Sequence, residues 1–274
     1  MNWIYLVIGG SFFNALWTSL TKKKSVDLSP IQFTIIFRSL CVLFLFPIFI
    51  IKFNMSYITV NFLFFAIIYS IIEGVRTLFI VKGAEEDYYS TYAFVNTSPI
   101  FTLIFTPFLL IEKINLILVF GTVMIIVGGI LFYKIGKFSK WGIIVAILSG
   151  IGSVIAKVGV DNSNGIFFSV ISFIFLSLLF STYEIITKSE ITLISKIKSS
   201  RTVLLPAFFS SIATGLYFIS LEYGAVTKIS PLMRMNLIFG FVFSIIILKE
   251  IQNWKTKFLG GLFILAGGVL VYVS

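Results

Sequence analysis

Residues 110–133 read LIEKINLILVFGTVMIIVGGILFY, and residues 248–272 read LKEIQNWKTKFLGGLFILAGGVLVY. Each stretch closes one apolar run with a glutamate (Glu112, Glu250) and sets an asparagine three places on (Asn115, Asn253). A second apolar run follows, with a glycine (Gly121, Gly260), a glycine pair (Gly128-Gly129, Gly267-Gly268) and a tyrosine (Tyr133, Tyr272), the second copy being one residue longer. Upstream, Gly74 and Gly83-Ala84 return as Gly215 and Gly224-Ala225 at a single separation, and the acidic insert Glu85-Glu86-Asp87 accounts for the change in separation after it. One matching pair would be chance, but an ordered set marks an internal repeat. It divides the chain into residues 1–136 and 137–274.

Each repeat is made of apolar runs. Of 274 residues, 58% are hydrophobic and 12% charged, too few charges to clothe a soluble surface and the right balance for a chain whose surface meets lipid. A span needs roughly 20 apolar residues to cross about 30 Å of hydrocarbon. Ten runs qualify: 3–21, 30–52, 57–82, 89–111, 116–133, 141–158, 166–186, 203–223, 229–248 and 255–273. They are continuous, which excludes the alternating pattern of a membrane β-barrel. The expected fold class is therefore an all-α integral membrane protein, ten transmembrane helices as two inverted five-helix repeats. Five is odd, so the second copy enters the membrane upside down. Inverted repeats place a binding site near the midplane and let it open to either side, which points to a carrier.

Several chemistries are excluded. Histidine is absent and Cys41 is the only cysteine, so neither a metal site nor a disulfide is expected, and no cofactor motif is present. Asp27, Asp87 and Asp161 sit apart in separate loops, which leaves little for a membrane-embedded lipid-modifying enzyme. A non-transporting receptor or scaffold is the other alternative. The net charge of +10 does not indicate nucleic acid, because the basic residues are spread through short loops, where they orient a membrane protein. The first apolar run follows Met1-Asn2 directly and reads as a span, not a cleaved signal. No feature fixes an oligomeric state.

The residues expected to carry function are polar groups inside spans, where a central charge costs roughly 2.5–3.5 kcal/mol and needs a partner or a hydrated cavity. They are Arg38, Glu73, Arg76 and Arg234, the last beside Asn236. Glu73 and Arg76 share a helix face. The functional expectation is a cavity between the halves whose arginines hold an anionic or carboxylate group, with Glu73 the one membrane-buried candidate for a proton carrier. The plainer expectation is a self-neutralising Glu73–Arg76 pair, with Arg38 snorkelling to an interface. Tyr92, Asn96 and Tyr217, and behind them Asn14, Trp17 and Tyr69, are candidates to line the same cavity. Glu184 and Glu222, near span ends, are expected at the interface, as are Tyr133, Tyr223, Tyr272, Trp3, Trp141 and Trp254. Glu112 and Glu250 read as caps or gate contacts. Gly128, Gly129, Gly267 and Gly268 read as close helix packing, and Pro99 as a kink suited to gating. Residues 189–200 form either a short interfacial helix or a basic loop.

Pro99 followed by Glu112-Lys113, the Gly-rich fifth span, Leu248-Lys249-Glu250 before Gly260-Gly261 and Gly267-Gly268, and Asp27-Leu28-Ser29-Pro30 with Arg38 beyond it give the chain a family likeness. It resembles the drug/metabolite transporter superfamily, in particular its EamA-type ten-helix carriers, over its whole length. Lys113 and Ile251 follow the two glutamates where the family often has Arg, no arginine in the seventh span answers Arg38, and Pro231 lies earlier in the ninth span than Pro99 does in the fourth. The resemblance implies a secondary transporter in a bacterial inner membrane, an exporter or exchanger of a small polar metabolite such as an amino acid or related organic ion. With no ATP-binding motif, energy is expected from a coupling proton, a counter-substrate or the solute's own gradient; lipid and a small-molecule substrate are the expected partners. On orientation, two expectations conflict. Lys22-Lys23-Lys24, Lys82, Lys134, Lys137, Lys140, the 188–201 group, Lys249, Lys255 and Lys257 all fall on the side opposite the termini, which places the termini outside the cytoplasm. The resemblance implies cytoplasmic termini.

Overall fold

The computed structural model describes residues 2–23, 29–133, 138–187, 201–247 and 253–274. The 189–200 segment and Glu250 lie outside these. The described residues are helical, without a strand. In order the α-helices are α1 (Trp3–Lys23), α2 (Pro30–Lys52), α3 (Val60–Val95), α4 (Ser98–Leu109), α5 (Leu116–Leu131), α6 (Lys140–Asp161), α7 (Gly165–Thr187), α8 (Arg201–Tyr223), α9 (Val226–Leu232), α10 (Asn236–Ile246) and α11 (Trp254–Val273).

Polar residues between the apolar runs start the helices. The Ser29 hydroxyl accepts from Gln32 N, and the Gln32 side chain accepts in turn from Ser29 N, a capping box ahead of Pro30. The side chains of Thr59, Asn115 and Ser139 cap α3, α5 and α6 by accepting from Phe62 N, Leu118 N and Gly142 N. The apolar runs then bury one stripe against neighbours and show the rest outward: Ile51, Val60, Phe108, Ile111, Leu116 and Ile186 are all more than three-quarters exposed, a lipid-facing surface and not a wetted one.

Among the described residues eleven α-helices make ten spans, because the fourth and ninth spans are broken and one helix joins the third span to the first part of the fourth. Helix α3 carries the third span into the fourth, with a non-helical Asp87 (φ −160°, ψ 100°) at the turn, where its carboxylate accepts from Ser90 N and Oγ. The fourth span then breaks at Asn96-Thr97 and resumes as α4 with Pro99 in its first turn, so the kink expected of Pro99 falls just before it. The ninth span breaks at the 3-10 turn Met233–Met235, between α9 and α10. Pro231 lies just before that turn.

The two halves pack as an inverted pair. Helix α1 lies on α8 while α3 lies on α6, α2 on α7, and α5 on α11. The α5–α11 contact is reciprocal. A Cβ at Gly121 would meet the Gly267 carbonyl oxygen at 2.9 Å, and one at Gly267 would meet that of Gly121 at 2.6 Å. Gly128 and Gly260 face each other likewise, each 2.6 Å from the other's carbonyl oxygen by the same measure. Gly121 matches Gly260 in the repeat and Gly128 matches Gly267, so each glycine meets the counterpart of the other, as a two-fold in the membrane plane requires. The glycines bring the two backbones close enough to touch.

The core is concentrated at the end of the molecule that holds the termini. Phe62, Phe167, Phe168, Phe218, Leu221, Val226 and Ile229 are fully buried there, with Phe49 stacked on Phe167 and Tyr57 edge-on to it. Glu112 seals the same end: its carboxylate accepts from Val226 N (2.8 Å), Thr227 N (3.0 Å) and Thr227 Oγ1 (2.6 Å), tying the end of the fourth span to the start of the ninth. One expectation is corrected, at the opposite end of the molecule. Glu184 is buried, not interfacial, and accepts a 2.9 Å bond from Gln32 Nε2, because α2 and α7 cross where it sits. At the closed end Glu222, in the last turn of α8, accepts from Gly165 N at 2.6 Å and holds the first turn of α7.

Candidate functional site

A cavity of about 1580 Å³ occupies the middle of the molecule. Its floor is Tyr69, Tyr217 and Phe218, near the closed end, and its rim is Asp87, Tyr88, Asn253 and Lys257, at the opposite end. It therefore reaches the midplane from one side. All eight residues expected in the site line it: Arg38, Glu73, Arg76, Tyr92, Asn96, Tyr217, Arg234 and Asn236. Asn14, Trp17 and Tyr69 line it too.

One wall is an ionic triad. Arg38 reaches from α2 and donates to Glu73 Oε1 at 2.8 Å; Arg76, one turn along α3, donates Nε to Oε2 at 2.7 Å and Nη2 to Oε1 at 2.5 Å. The Glu73–Arg76 pair is thus real, but it is not self-contained, and Arg38 does not snorkel. Its guanidinium lies 4.5 Å from the centroid of Phe173 on α7 and is held inside the bundle. With both oxygens of Glu73 engaged, the triad keeps a surplus positive charge.

The opposite wall is where the two broken spans meet. Arg234 lies in the ninth-span break, and its Nη1 reaches Asn96 Oδ1 in the fourth-span break at 3.4 Å, while Nη2 donates to Ser98 Oγ. Asn96 and Arg234 are 138 residues apart, as are Glu112 and Glu250, so they stand at equivalent points of the two repeats. Nearby, the Thr102 and Ser230 hydroxyls bond at 3.0 Å and link the same two spans. Arg234 makes no ion pair among the described residues. Its Nε and the Asn236 Oδ1 are buried without a protein hydrogen-bond partner. Tyr88, Tyr92 and Tyr133 form an aromatic side to this region, with centroids 4.5 Å and 6.4 Å apart in turn.

Tyr133 corrects the expectation of an interfacial anchor: it closes α5 beside Tyr92 and lines the cavity. Position near a span end gave no sign of it. Ser98 was also missed, as a lone serine before a proline reads as a helix start. Gly129 sits against Asn96 and Leu237 and so backs the cavity wall, while Gly268 faces Leu232. No cluster of metal-ligating side chains occurs among the described residues.

The model of the EamA-like transporter family matches residues 1–134 and again residues 138–273. The chain belongs to the EamA-like transporter family. A solved structure titled only "Crystal structure of protein" superposes on this EamA-like transporter with a TM-score of 0.76, covering 99% of this chain and 95% of the other at 13% identity. At that identity the likeness is one of fold. No curated protein matches the chain. The ten-span, two-repeat architecture and the membrane-transporter class follow from the double family match together with the reciprocal packing of the halves.

Proposed function

We propose that this EamA-like transporter is a secondary carrier, an exporter or exchanger, for a small polar metabolite such as an amino acid or a related organic ion in a bacterial inner membrane. The observation that carries this reading is the one-sided polar cavity ending at the midplane, where the breaks in the fourth and ninth spans meet. Discontinuous helices at a repeat interface are how carriers expose backbone and side-chain polarity to a solute within the bilayer. Substrate binds between the ionic triad and the Asn96–Arg234 wall, with Tyr92, Tyr217 and Asn236 completing the contacts. Rocking of residues 1–136 against 137–274 opens the end now closed by Glu112 and the phenylalanine cluster, and closes the present mouth.

Glu73 acts here as the counter-ion of two arginines, so uphill movement is driven by exchange against a second solute, and without exchange the solute runs down its own gradient. The test is flux in proteoliposomes loaded with an amino acid, an organic acid or a sugar phosphate in turn. Saturable, trans-stimulated uptake of one of them is the expected result. The absence of saturable flux for every class overturns the proposal.

A further inference from the structure

The cavity carries an uneven set of charges. Arg38, Arg76 and Arg234 line it against the single deep carboxylate of Glu73, which both arginines of its own wall already occupy. Asp87, the other carboxylate among its described lining residues, lies at the rim and is engaged with Ser90. Among the described lining residues no acidic group at depth is left to receive an ammonium group. On the far wall, Arg234 meets neutral partners in Asn96 and Ser98, and its Nε, like the Asn236 Oδ1, is buried without a protein partner.

The repeat sharpens this imbalance. At the equivalent points of the two broken spans one half supplies an amide, Asn96, and the other a guanidinium, Arg234. The bundle is close to symmetric here, but its charge is not. A guanidinium in a low-dielectric cleft is costly without an anion, and its planar fork matches a carboxylate. The mouth is mixed in sign, with Lys257 and Asp87 on the rim and, on the same side, Lys82 and Lys140 flanking Trp141 while Glu86 accepts from Trp141 Nε1 at 2.6 Å. The excess charge lies in the cavity walls, where three guanidinium groups face one carboxylate, and it concentrates anions and repels cations.

We infer that the ligand of this cavity is a small organic monoanion whose carboxylate is held by Arg234, and not a zwitterion or a cation. The inference rests on the carrier reading for the word substrate, but binding alone tests it. Short 2-oxo and 2-hydroxy carboxylic acids are titrated into the purified full-length chain by calorimetry. Each is compared with its neutral amide, with the α-amino acid of the same carbon skeleton, and with chloride.

At least one acid is expected to bind tenfold or more tightly than both its amide and its amino counterpart. Arg234→Gln lowers that affinity at least tenfold. Asn96→Asp does the same by a different route, since it sets a carboxylate against the guanidinium while changing one atom; it decides the matter should the Arg234 variant not fold. Equal binding of the amide or the amino acid overturns the inference, as does an acid affinity that survives Asn96→Asp, an absence of acid binding, or a response to chloride alone. Saturable amino-acid flux indifferent to Asn96→Asp sinks the anion site and leaves the carrier standing. Acid binding without flux in proteoliposomes does the reverse.

Discussion

Glu73 holds two guanidinium groups on one carboxylate, and this fixes an order of damage within the triad. Glu73→Gln leaves Arg38 and Arg76 facing each other uncompensated, whereas Arg38→Gln leaves the Glu73–Arg76 pair intact. The triad is mostly enclosed, with side-chain exposures of 17%, 9% and 25% for Arg38, Glu73 and Arg76, so its loss falls between an exposed pair and a sealed one. Glu73→Gln should cost about 2 kcal/mol, and Arg38→Gln about half that. Thermal unfolding in detergent checks the order; a larger loss for Arg38→Gln contradicts it. At this scale the sequence was informative wherever a charge interrupted an apolar run, because the bilayer makes such a residue expensive. That is why Arg38, Glu73, Arg76 and Arg234 could be named in advance. It was silent on Ser98, whose type is ordinary at helix starts, and it misled on Tyr133, whose type is ordinary at span ends, and on Glu184, whose distance along the helix does not reveal that α2 crosses there.

Two element pairs carry the bundle's geometry, and each supports a prediction. Where α5 meets α11, a methyl group at Gly128 or Gly267 would lie 2.6 Å from a carbonyl oxygen of the facing backbone, so the helices must separate. Gly128→Ala and Gly267→Ala should each destabilise the protein by about 1–3 kcal/mol, equally within error, because they occupy equivalent places in the repeat. Gly240→Ala, with nothing within 4 Å of its added atom, should be neutral or slightly stabilising. Unfolding temperatures of the three variants decide it. The second pair is the fourth span on the ninth, joined by Glu112. Removing a carboxylate acceptor of this kind costs about 2 kcal/mol, enough to shift a two-state balance by roughly 30-fold. Glu112→Ala should therefore favour the state open toward the termini. With Cys41 replaced by alanine, a cysteine at the fully buried Ser220 should label at least tenfold faster in the Glu112→Ala background; an unchanged rate means that Glu112 does not hold the closed end. The glycines and Glu112 were legible from their recurrence. The breaks at Asn96-Thr97 and Met233–Met235 were only half so, since Pro99 pointed to the first and no glycine or proline lies within the second.

For the whole molecule, the open question of the sequence, which way up the bundle lies, becomes a question about its cavity. The mouth is on the side opposite the termini, the side that also collects Lys82, Lys140 and Lys257 among the described residues and most of the remaining lysines in sequence. Basic residues in short loops stay in the cytoplasm, so the charge asymmetry predicts termini outside and a cavity facing in. In that orientation Arg234 is presented to cytosolic solutes, the loading state of an exporter. The prediction is tested in the Cys41→Ala background with a membrane-impermeant maleimide. A cysteine at Ser274 should label in intact cells, while one at the exposed Lys140 should label only after the membrane is opened. The reverse pattern would mean that the family's usual topology outweighs the lysines, and that the same structure faces outward, ready to take up or release. In either case the guanidinium groups of Arg38, Arg76 and Arg234 line the path inward from this mouth, so initial flux of an anionic substrate entering by it should fall as ionic strength rises, the mark of electrostatic steering and not of site occupancy.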